Sequence, residues 1–351
     1  MSKNKFSKIS SIIQEAKKGK MFILVDDKSR ENEGDLIIPA SKCTSKSINF
    51  MTKHGRGLVC LALTKKQVDI LKLPLMSSIN KSRMQTAFTI SIEAKRGITT
   101  GISTQDRAKT IKIAINPKVK KSDIVSPGHV FPLVARNGGV LERAGHTEAS
   151  VDISKLSNLN PSSVICEVMN EDGRMARLND LFKFSKKHKI KLASIEDLIS
   201  YRLKYEKLVN RISYKSTIIK KIGKVNIYNY KNKLDKNNNI VITKGKFNQK
   251  KSIPVRVLSN RINDKDILHI RNVKKSLSFM SKYKNFLLLI INNKNSISYE
   301  NNINTLRYYG IGAQIIKDLN IKNMILISRS RKKIIGLEGF GLKIKKQLII
   351  K

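Results

Sequence analysis

Three carboxylates lie within five residues of one another directly after an apolar run near the N-terminus. The segment Arg30–Asp35 contains Glu31, Glu33 and Asp35, and it follows the run Met21–Val25. Carboxylates this close repel one another, so they need solvent, cationic groups or a hard divalent cation to compensate them. A solvated acidic loop is the alternative interpretation. In a chain of formal net charge +44, however, a local excess of acid favours a functional cluster.

Two later segments each hold one histidine. His129 lies in Ser126–Pro132, where two prolines restrict the backbone and would aim an imidazole, although a packed loop histidine is the alternative. His146 lies in Gly138–Ala149, with Arg143, an Ala-Gly pair and a threonine beside it. A guanidinium, a close backbone and a hydroxyl suit a phosphate, and the imidazole suits a metal ion. A surface loop is the alternative.

A glutamate inside an apolar run is the fourth chemical feature. Glu167 lies in Ile165–Val168, which has the composition of a strand. Burial of a carboxylate costs several kcal/mol and would raise its pKa towards the range useful for acid–base catalysis. The alternative is a glutamate on the solvent face of an edge strand. The polar loop Thr99–Arg107 adds phosphate-binding potential of low specificity.

Helices and strands are expected around these segments. Apolar residues at i, i+3, i+4 and i+7 predict a helix from Ile9 to Ala16, ended by Gly19. Ser194 with Asp197 predicts a capped helix that keeps helical spacing as far as Val209. The other predicted elements are strands at Met21–Val25, Leu58–Leu63 and Phe88–Ile92, and a loop or hairpin at Tyr230–Lys251.

Four of these segments, in this order, resemble the 3,4-dihydroxy-2-butanone 4-phosphate synthase family over roughly residues 5–205. They are Asp27–Asp35, Thr99–Ser103, Pro127–Pro132 and Arg143–Ala149. The resemblance implies an enzyme of riboflavin biosynthesis, a lyase that converts D-ribulose 5-phosphate to L-3,4-dihydroxy-2-butanone 4-phosphate and formate with Mg²⁺ or Mn²⁺. It also implies a homodimer with active sites near the subunit interface.

Roles for individual residues follow from the resemblance by matching position. Glu31 and His146 resemble the metal ligands, and Glu167 and His129 resemble residues needed for catalysis. Because the reaction requires successive proton transfers, Asp35 joins them as an acid–base candidate. The residues that resemble substrate contacts are Arg30, Glu31, Asp35, Arg143, Ala144, Gly145, His146, Thr147 and Glu167.

The second part of the chain is similar to GTP cyclohydrolase II but lacks that family's metal ligands. The similarity is strongest at Leu306–Leu319 and continues at Gly336–Leu342, whereas no cysteine follows Cys166. Without thiolates a zinc site is not expected. Thr305 stands where the family has a carboxylate, and Ile291–Asn295 replaces its Gly- and Arg-rich loop. We therefore expect a degenerate domain that is structural, dimer-supporting, regulatory or partner-binding. A bifunctional enzyme is the alternative.

Length and composition bound these interpretations. The 351 residues predict two domains, 1–206 and 207–351, each of class α/β or α+β. Three dispersed cysteines indicate a reducing, cytoplasmic setting, and no apolar run is long enough for a membrane span. The 70 basic residues are spread along the chain and aromatic residues make up only 6%, which argues against a nucleic-acid partner. A basic, non-enzymatic scaffold is the remaining alternative.

Overall fold

A computed structural model describes residues 5–28, 30–81, 84–233, 238–249, 251–260, 267–292, 302–330 and 340–350, apart from the side chains at 260 and 302–309. The chain divides into two compact units, Met1–Ile199 and Ser200–Lys351. Both units combine helices with a mixed sheet, so the predicted fold class is confirmed. In the described part of the chain, no helix combines the length and apolarity that a bilayer span requires.

The first unit is built on a seven-stranded sheet. Its strands are β1 (Phe22–Val25), β2 (Gly34–Pro39), β3 (Cys60–Thr64), β4 (Ile92–Ala94), β5 (Ile124–Ala135), β6 (Ser163–Glu167) and β7 (Lys191–Ser194). The order across the sheet is β4-β5-β3-β6-β2-β1-β7. Strands β3 and β5 are parallel, as are β1 and β7, and the other pairs are antiparallel.

Seven helices accompany this sheet in the described residues. They are α1 (Ile9–Lys17), α2 (Ser45–Phe50), α3 (Lys65–Leu71), α4 (Thr104–Ala114), α5 (His146–Leu156), α6 (Leu178–His188) and α7 (Ile195–Tyr205). Strands β1 and β2 are buried at every position, which explains their continuous apolar runs. The main core packs Ile23, Leu36 and Leu61 against residues of α2, α3 and α4.

Several local predictions are confirmed. Helix α1 ends just before Gly19, whose φ of +70° favours glycine. The hydroxyl of Ser194 accepts a hydrogen bond from the backbone N–H of Asp197 at 3.0 Å, as a helix cap does. Strand β6 lies between β3 and β2, so the edge-strand interpretation of Glu167 is wrong.

Other local predictions are wrong because sheet pairing overrides local sequence. The segment around His129 was expected to be a proline-stiffened loop, yet it belongs to β5, which pairs with β3 and β4. The expected strand Phe88–Ile92 is reduced to isolated bridges before β4. Helix α7 ends at Tyr205 and does not reach Val209, because Val209 begins an edge strand of the second sheet.

The second unit is built on another seven-stranded sheet, of order β14-β13-β11-β12-β10-β9-β8. Its strands are β8 (Val209–Ile219), β9 (Gly223–Asn232), β10 (Asn238–Lys244), β11 (Ser252–Asn260), β12 (Phe286–Asn292), β13 (Asn323–Ser328) and β14 (Lys343–Ile349). Helices α8 (Arg271–Met280) and α9 (Asn302–Asp318) accompany them. Strands β11 to β14 run parallel, and the rest pair antiparallel.

Two apolar clusters form the core of this unit, one containing residues of α9 and the other residues of α8. For the polar stretch Tyr230–Lys251 the sequence predicts a loop or a hairpin. The buried strand β10 lies in this stretch and pairs antiparallel with β9, as in a hairpin. The domain boundary that we predict between residues 206 and 207 falls between α7 and β8.

Candidate active site

The acidic segment connects two buried antiparallel strands. Strands β1 and β2 pair from Phe22 opposite Ile37 to Val25 opposite Gly34, so residues 26–33 form the turn between them. Asp35 is the second residue of β2 and pairs directly with Glu167 on β6. The hairpin thereby places one carboxyl of the acidic cluster inside the sheet and leaves the others in the turn.

Asp26 organises the turn. Its Oδ2 accepts hydrogen bonds from Nη1 of Arg30 at 2.7 Å and from the backbone N–H of Glu31 at 3.2 Å, and its Oδ1 accepts from the N–H of Glu33 at 2.9 Å. The same Arg30 nitrogen is also hydrogen-bonded to Oε2 of Glu31. The sequence alone did not identify Asp26 as a site residue; the available signal was its position directly after a buried strand and five residues before Glu31.

A possible metal site is formed by Asp26, Glu31 and His146, which offer ligand atoms within 4.8 Å of one another. Nδ1 of His146 lies 3.9 Å from Oε2 of Glu31 and 3.8 Å from Oδ1 of Asp35. Both oxygens of Asp26 already accept hydrogen bonds from the turn, whereas only Oε2 of Glu31 does, from Arg30, so Glu31 has more capacity to bind an ion. His146 opens helix α5 and is buried, so the surface-loop interpretation of this segment is wrong.

Two buried atoms in this cluster lack hydrogen-bond partners of good geometry among the described residues. They are Oδ1 of Asp35 and Nε2 of His146. A buried polar atom without a partner costs about 1–3 kcal/mol, so such atoms mark a site built for something other than the chain itself. Burial lowers the pKa of His146 and keeps the imidazole neutral, with a lone pair free for a metal ion. A carboxylate and an imidazole therefore fit a divalent cation.

Asp35 and Glu167, the two carboxyls that are paired across the sheet, both have raised pKa values, which suits proton transfer. Burial raises the pKa of Asp35 well above its usual range, and the nearby charge of Glu167 adds to that effect. Burial also raises the pKa of Glu167, although its Oε2 accepts a hydrogen bond from the backbone N–H of Leu58 at 2.9 Å. A carboxyl with a raised pKa exchanges its proton nearer to neutral pH, as acid–base catalysis requires.

Gly57 allows Glu167 to take its position. A Cβ atom at residue 57 would lie 2.5 Å from Oε2 of Glu167 and 2.7 Å from its backbone N and O. Any side chain at this position would collide with backbone that the sheet holds in place. The sequence does not reveal this role of Gly57, because no local pattern indicates that β6 passes this close to it.

His129 lies on β5, two residues before Phe131, which pairs with Cys60 on β3. Cys60 pairs in turn with Ile165 on β6, the strand that carries Glu167. Nδ1 of His129 is hydrogen-bonded to Oε1 of Glu93, a partner that the sequence did not reveal.

The segment Arg143–Thr147 forms a rigid entry to helix α5. Nη1 of Arg143 donates to Oε2 of Glu148 at 2.7 Å, and its Nη2 donates to the carbonyl of Met84 at 2.9 Å and to Oγ1 of Thr86 at 3.0 Å. Ala144, His146 and Thr147 are buried, and Gly145 caps the helix. This ion pair with Glu148 fixes the guanidinium beside the backbone N–H groups at the start of α5.

In the loop Thr99–Arg107, Asp106 occupies donors of Thr99 and Gly101, whereas Nε of Arg107 is buried without a hydrogen-bond partner among the described residues. Oδ2 of Asp106 accepts hydrogen bonds from the backbone and hydroxyl of Thr99 and from the backbone N–H of Gly101. These donors are therefore already occupied by a carboxylate of the chain, which leaves less of this loop for a phosphate.

Several of the residues that the sequence points to in the second unit lie outside the described residues. Residues 305–307 lie in the backbone of α9, but their side chains are outside the described residues, as are residues 293–295 and 336–339. The missing thiolates are a property of the sequence itself, whose three cysteines are Cys43, Cys60 and Cys166. Burial raises the pKa of Cys60 well above its usual range, in agreement with a structural strand cysteine.

Comparison with known proteins agrees with both units. Residues 10–201 match the 3,4-dihydroxy-2-butanone 4-phosphate synthase family and residues 210–349 match the GTP cyclohydrolase II family. The chain is 42% identical to the riboflavin biosynthesis protein RibBA of Aquifex aeolicus (strain VF5), over 99% of this chain and 93% of that protein.

Solved structures are similar as well. The crystal structure of RibBX, a two-domain 3,4-dihydroxy-2-butanone 4-phosphate synthase from A. baumannii, has a TM-score of 0.83 and 36% identity, covering 98% of this chain and 100% of that chain. A 3,4-dihydroxy-2-butanone 4-phosphate synthase in complex with two magnesium ions has a TM-score of 0.54 and 38% identity, covering 57% of this chain and 98% of that chain.

Proposed function

This chain belongs to the 3,4-dihydroxy-2-butanone 4-phosphate synthase family, and from that membership we propose how its residues carry out the reaction. The protein is an enzyme of riboflavin biosynthesis that converts D-ribulose 5-phosphate to L-3,4-dihydroxy-2-butanone 4-phosphate and formate. The first unit holds the residues for this chemistry. Their individual roles, given below, are the proposal.

Glu31 and His146 hold a divalent cation, Mg²⁺ or Mn²⁺. Their nearest ligand atoms are 3.9 Å apart, and the neutral imidazole and the carboxylate together suit these metals. When bound, the cation supplies Lewis-acid stabilisation of the negative charge that develops on adjacent substrate oxygens. Two protein ligands leave positions for water and substrate. The similar synthase with two magnesium ions supports this assignment.

Asp35, Glu167 and His129 move the protons. Asp35 is buried and Glu167 half-buried, they are cross-strand partners, and the pKa of each is raised, so they can exchange protons with the substrate nearer to neutral pH. His129 takes part from β5, and Glu93 orients its ring through Nδ1. Arg30, held by Asp26, contacts the substrate from the turn beside Glu31.

Arg143, Ala144, Gly145, His146 and Thr147 receive the phosphorylated end of the substrate. These residues lie at the start of helix α5, which has 11 residues and begins at His146. The first backbone N–H groups of this helix and its dipole favour an anion. The guanidinium of Arg143, oriented by Glu148, adds a second kind of donor.

The observation that carries the assignment is the convergence of Glu31, Asp35 and His146, each from a different element, with two buried polar atoms lacking partners. The direct test measures formate from ribulose 5-phosphate with Mg²⁺, with and without EDTA. Formate production that EDTA abolishes and added Mg²⁺ restores is expected. Production that survives EDTA would contradict the metal assignment, and none from folded, metal-loaded protein would contradict the synthase activity itself.

The second unit does not open GTP. Its sequence lacks cysteine ligands, and Thr305 cannot accept a proton as a carboxylate would. The match of residues 210–349 to GTP cyclohydrolase II is also compatible with a bifunctional enzyme, so zinc content and GTP turnover of the full chain decide between the two. We assign this unit a structural or dimer-supporting role.

The protein acts as a cytoplasmic homodimer and does not bind nucleic acid. Exposed apolar side chains on the first unit support a subunit interface; they are Leu58, Leu75, Met76, Ile79, Ile102 and Val125. The backbone N–H of Leu58 donates to Oε2 of Glu167, so such an interface would approach the active site. Light scattering on the purified protein tests the dimer, and salt-dependent retention on DNA tests the alternative of a basic scaffold.

A further inference from the structure

A half-open cavity in the first unit is lined by residues that follow directly after β6. Its volume is about 380 Å³, which is enough for a small organic ligand. Its walls come from residues 53–56, the segment 168–176 and helix α6. None of the proposed catalytic, metal-binding or substrate-binding residues lines it.

Four rings are packed together at this cavity. The imidazole of His54 lies 4.7 Å from the ring of Phe50 and 4.8 Å from the imidazole of His188, centroid to centroid. Phe184 lies 4.4 Å from His188. His54, Phe184 and His188 line the cavity, and Phe50 supports them. The planes of His54 and His188 are inclined by 50°, and those of Phe184 and His188 by 42°, so the cluster presents ring faces and edges at an angle to one another, against which an aromatic ligand can pack.

Positive charge surrounds these rings. Lys53, Arg56, Lys183 and Lys187 line the cavity, against the carboxylates of Glu171 and Asp180. In the part of the chain that is described, none of the three lysines has an ion-pair partner. Oδ2 of Asp180, the third residue of α6, already accepts a hydrogen bond from the backbone N–H of the N-cap residue Arg177 at 3.1 Å. The cavity therefore has an uncompensated positive potential.

The imidazoles respond to that potential. Burial lowers the pKa of His54, and the charges of Lys53, Lys187 and Arg56 lower it further. Burial, His54 and Lys187 lower the pKa of His188 in the same direction. These cationic neighbours disfavour a metal ion between the two imidazoles, whereas they favour an anion.

The floor of the cavity is fixed before any ligand arrives. The backbone N–H of Met169 donates to the carbonyl of Gly55 at 2.9 Å, and Arg56 forms a bridge with Val168. Nη1 of Arg56 donates to the carbonyl of Asn170 at 3.3 Å. A preformed cavity loses little entropy when it binds a ligand.

We propose that this cavity binds a planar aromatic ring that carries a phosphate group, with the ring against His54, Phe184 and His188 and the phosphate between Lys53 and Lys187. The cluster of tilted rings accounts for the aromatic part, and the lysines without ion-pair partners account for the anionic part. This site is separate from the catalytic centre, and its existence does not depend on the roles proposed there.

The test uses the full-length protein with ¹³C-labelled histidine and AMP as the probe. The five histidines report on different places: His54 and His188 on the cavity, His129 and His146 on the active site, and His269 on the second unit. AMP should move the signals of His54 and His188 and raise the pKa values of both, because an anion favours the imidazolium form. Adenosine and inorganic phosphate should each bind about tenfold or more weakly than AMP.

Lys187→Glu provides the matched variant, because it places a like charge beside the phosphate. It should weaken AMP binding about tenfold or more. Lys186→Glu, an exposed neighbour on α6 that does not line the cavity, should bind AMP as the wild type does. The proposal is wrong if AMP moves only His129 and His146, if inorganic phosphate alone binds as tightly as AMP, or if both variants weaken binding equally.

Discussion

Asp35 and Glu167 are direct cross-strand partners on β2 and β6; Asp35 is buried and Glu167 is half-buried. Two carboxyls this close cannot both ionise without cost, so the metal-free site holds protons more tightly than isolated carboxyls do. A cation at Glu31 and His146 would relieve part of this cost. The pairing therefore links proton transfer and metal binding in one small region.

Removal of this repulsion should stabilise the metal-free protein. Because burial and Glu167 raise the pKa of Asp35, the folded state binds this proton more tightly than the unfolded state. Its contribution to stability is present at low pH, below about 3.9, and is lost as pH rises through the raised folded pKa. Asp35→Asn cannot lose that proton and should raise the melting temperature at pH 7–8 by about 2–4 °C.

The measurement is thermal unfolding in EDTA from pH 4 to pH 8. The difference between Asp35→Asn and wild type should shrink towards pH 4, and turnover of the variant should be lost. A variant that is less stable than wild type across the whole range would show that Asp35 is not destabilised by its surroundings.

Loss of either metal ligand should abolish turnover through loss of the cation. Glu31→Gln and His146→Ala should each weaken Mn²⁺ binding about tenfold or more, as measured by paramagnetic resonance, and reduce formate production in parallel. Glu33→Gln is the control from the same turn. The carboxylate of Glu33 lies 3.5 Å from Arg177 and is not one of the possible metal ligands Asp26, Glu31 and His146. Near-normal activity of the first two variants at modest Mg²⁺ would refute their assignment.

His129 should affect chemistry without affecting binding. His129→Ala is expected to lower kcat about 10²–10⁴-fold and to leave Mn²⁺ affinity unchanged, because the residue is not among the three that could hold a metal ion. Glu93→Gln should give a smaller loss and a shifted pH profile, as a residue that positions the ring does. An unchanged kcat for His129→Ala would remove the residue from the mechanism.

Gly57→Ala tests whether the position of Glu167 matters. The added methyl would meet the backbone of Glu167 at 2.7 Å, so Glu167 or its strand must move. We expect a large loss of kcat with metal binding retained, since Gly57 does not touch the metal ligands. Gly312→Ala, whose methyl would make only ordinary contacts at 3.4 and 3.6 Å, is the control and should behave as wild type in formate production.

The second unit should contribute no cyclohydrolase chemistry. Full-length protein is expected to contain no stoichiometric zinc by elemental analysis and to release no formate from GTP. Deletion of residues 210–351 should leave the catalytic motifs intact. An inactive but soluble and dimeric truncation would show that the second unit does more than support structure, and zinc with GTP turnover would establish the bifunctional alternative.

Local sequence was sufficient wherever the structure of a short segment is determined by residues within that segment. The cap at Ser194, the end of α1 before Gly19 and the strand before the acidic turn depend on neighbours a few residues away, so they were predictable. The sequence also identified the candidate site residues, which are Glu31, Asp35, His129, His146 and Glu167. Four ordered motifs sufficed for the family and for the synthase activity.

Tertiary structure decided how these residues meet. The pairing of Asp35 with Glu167, the passage of Gly57 beneath Glu167 and the contact of His129 with Glu93 join residues that are 36 or more positions apart along the chain. Strand order and register create these contacts, and neither is encoded in a local pattern. For the same reason a proline-rich segment that reads as a loop becomes β5. The sheet offers hydrogen-bond partners on both sides, and those long-range bonds outweigh local preference.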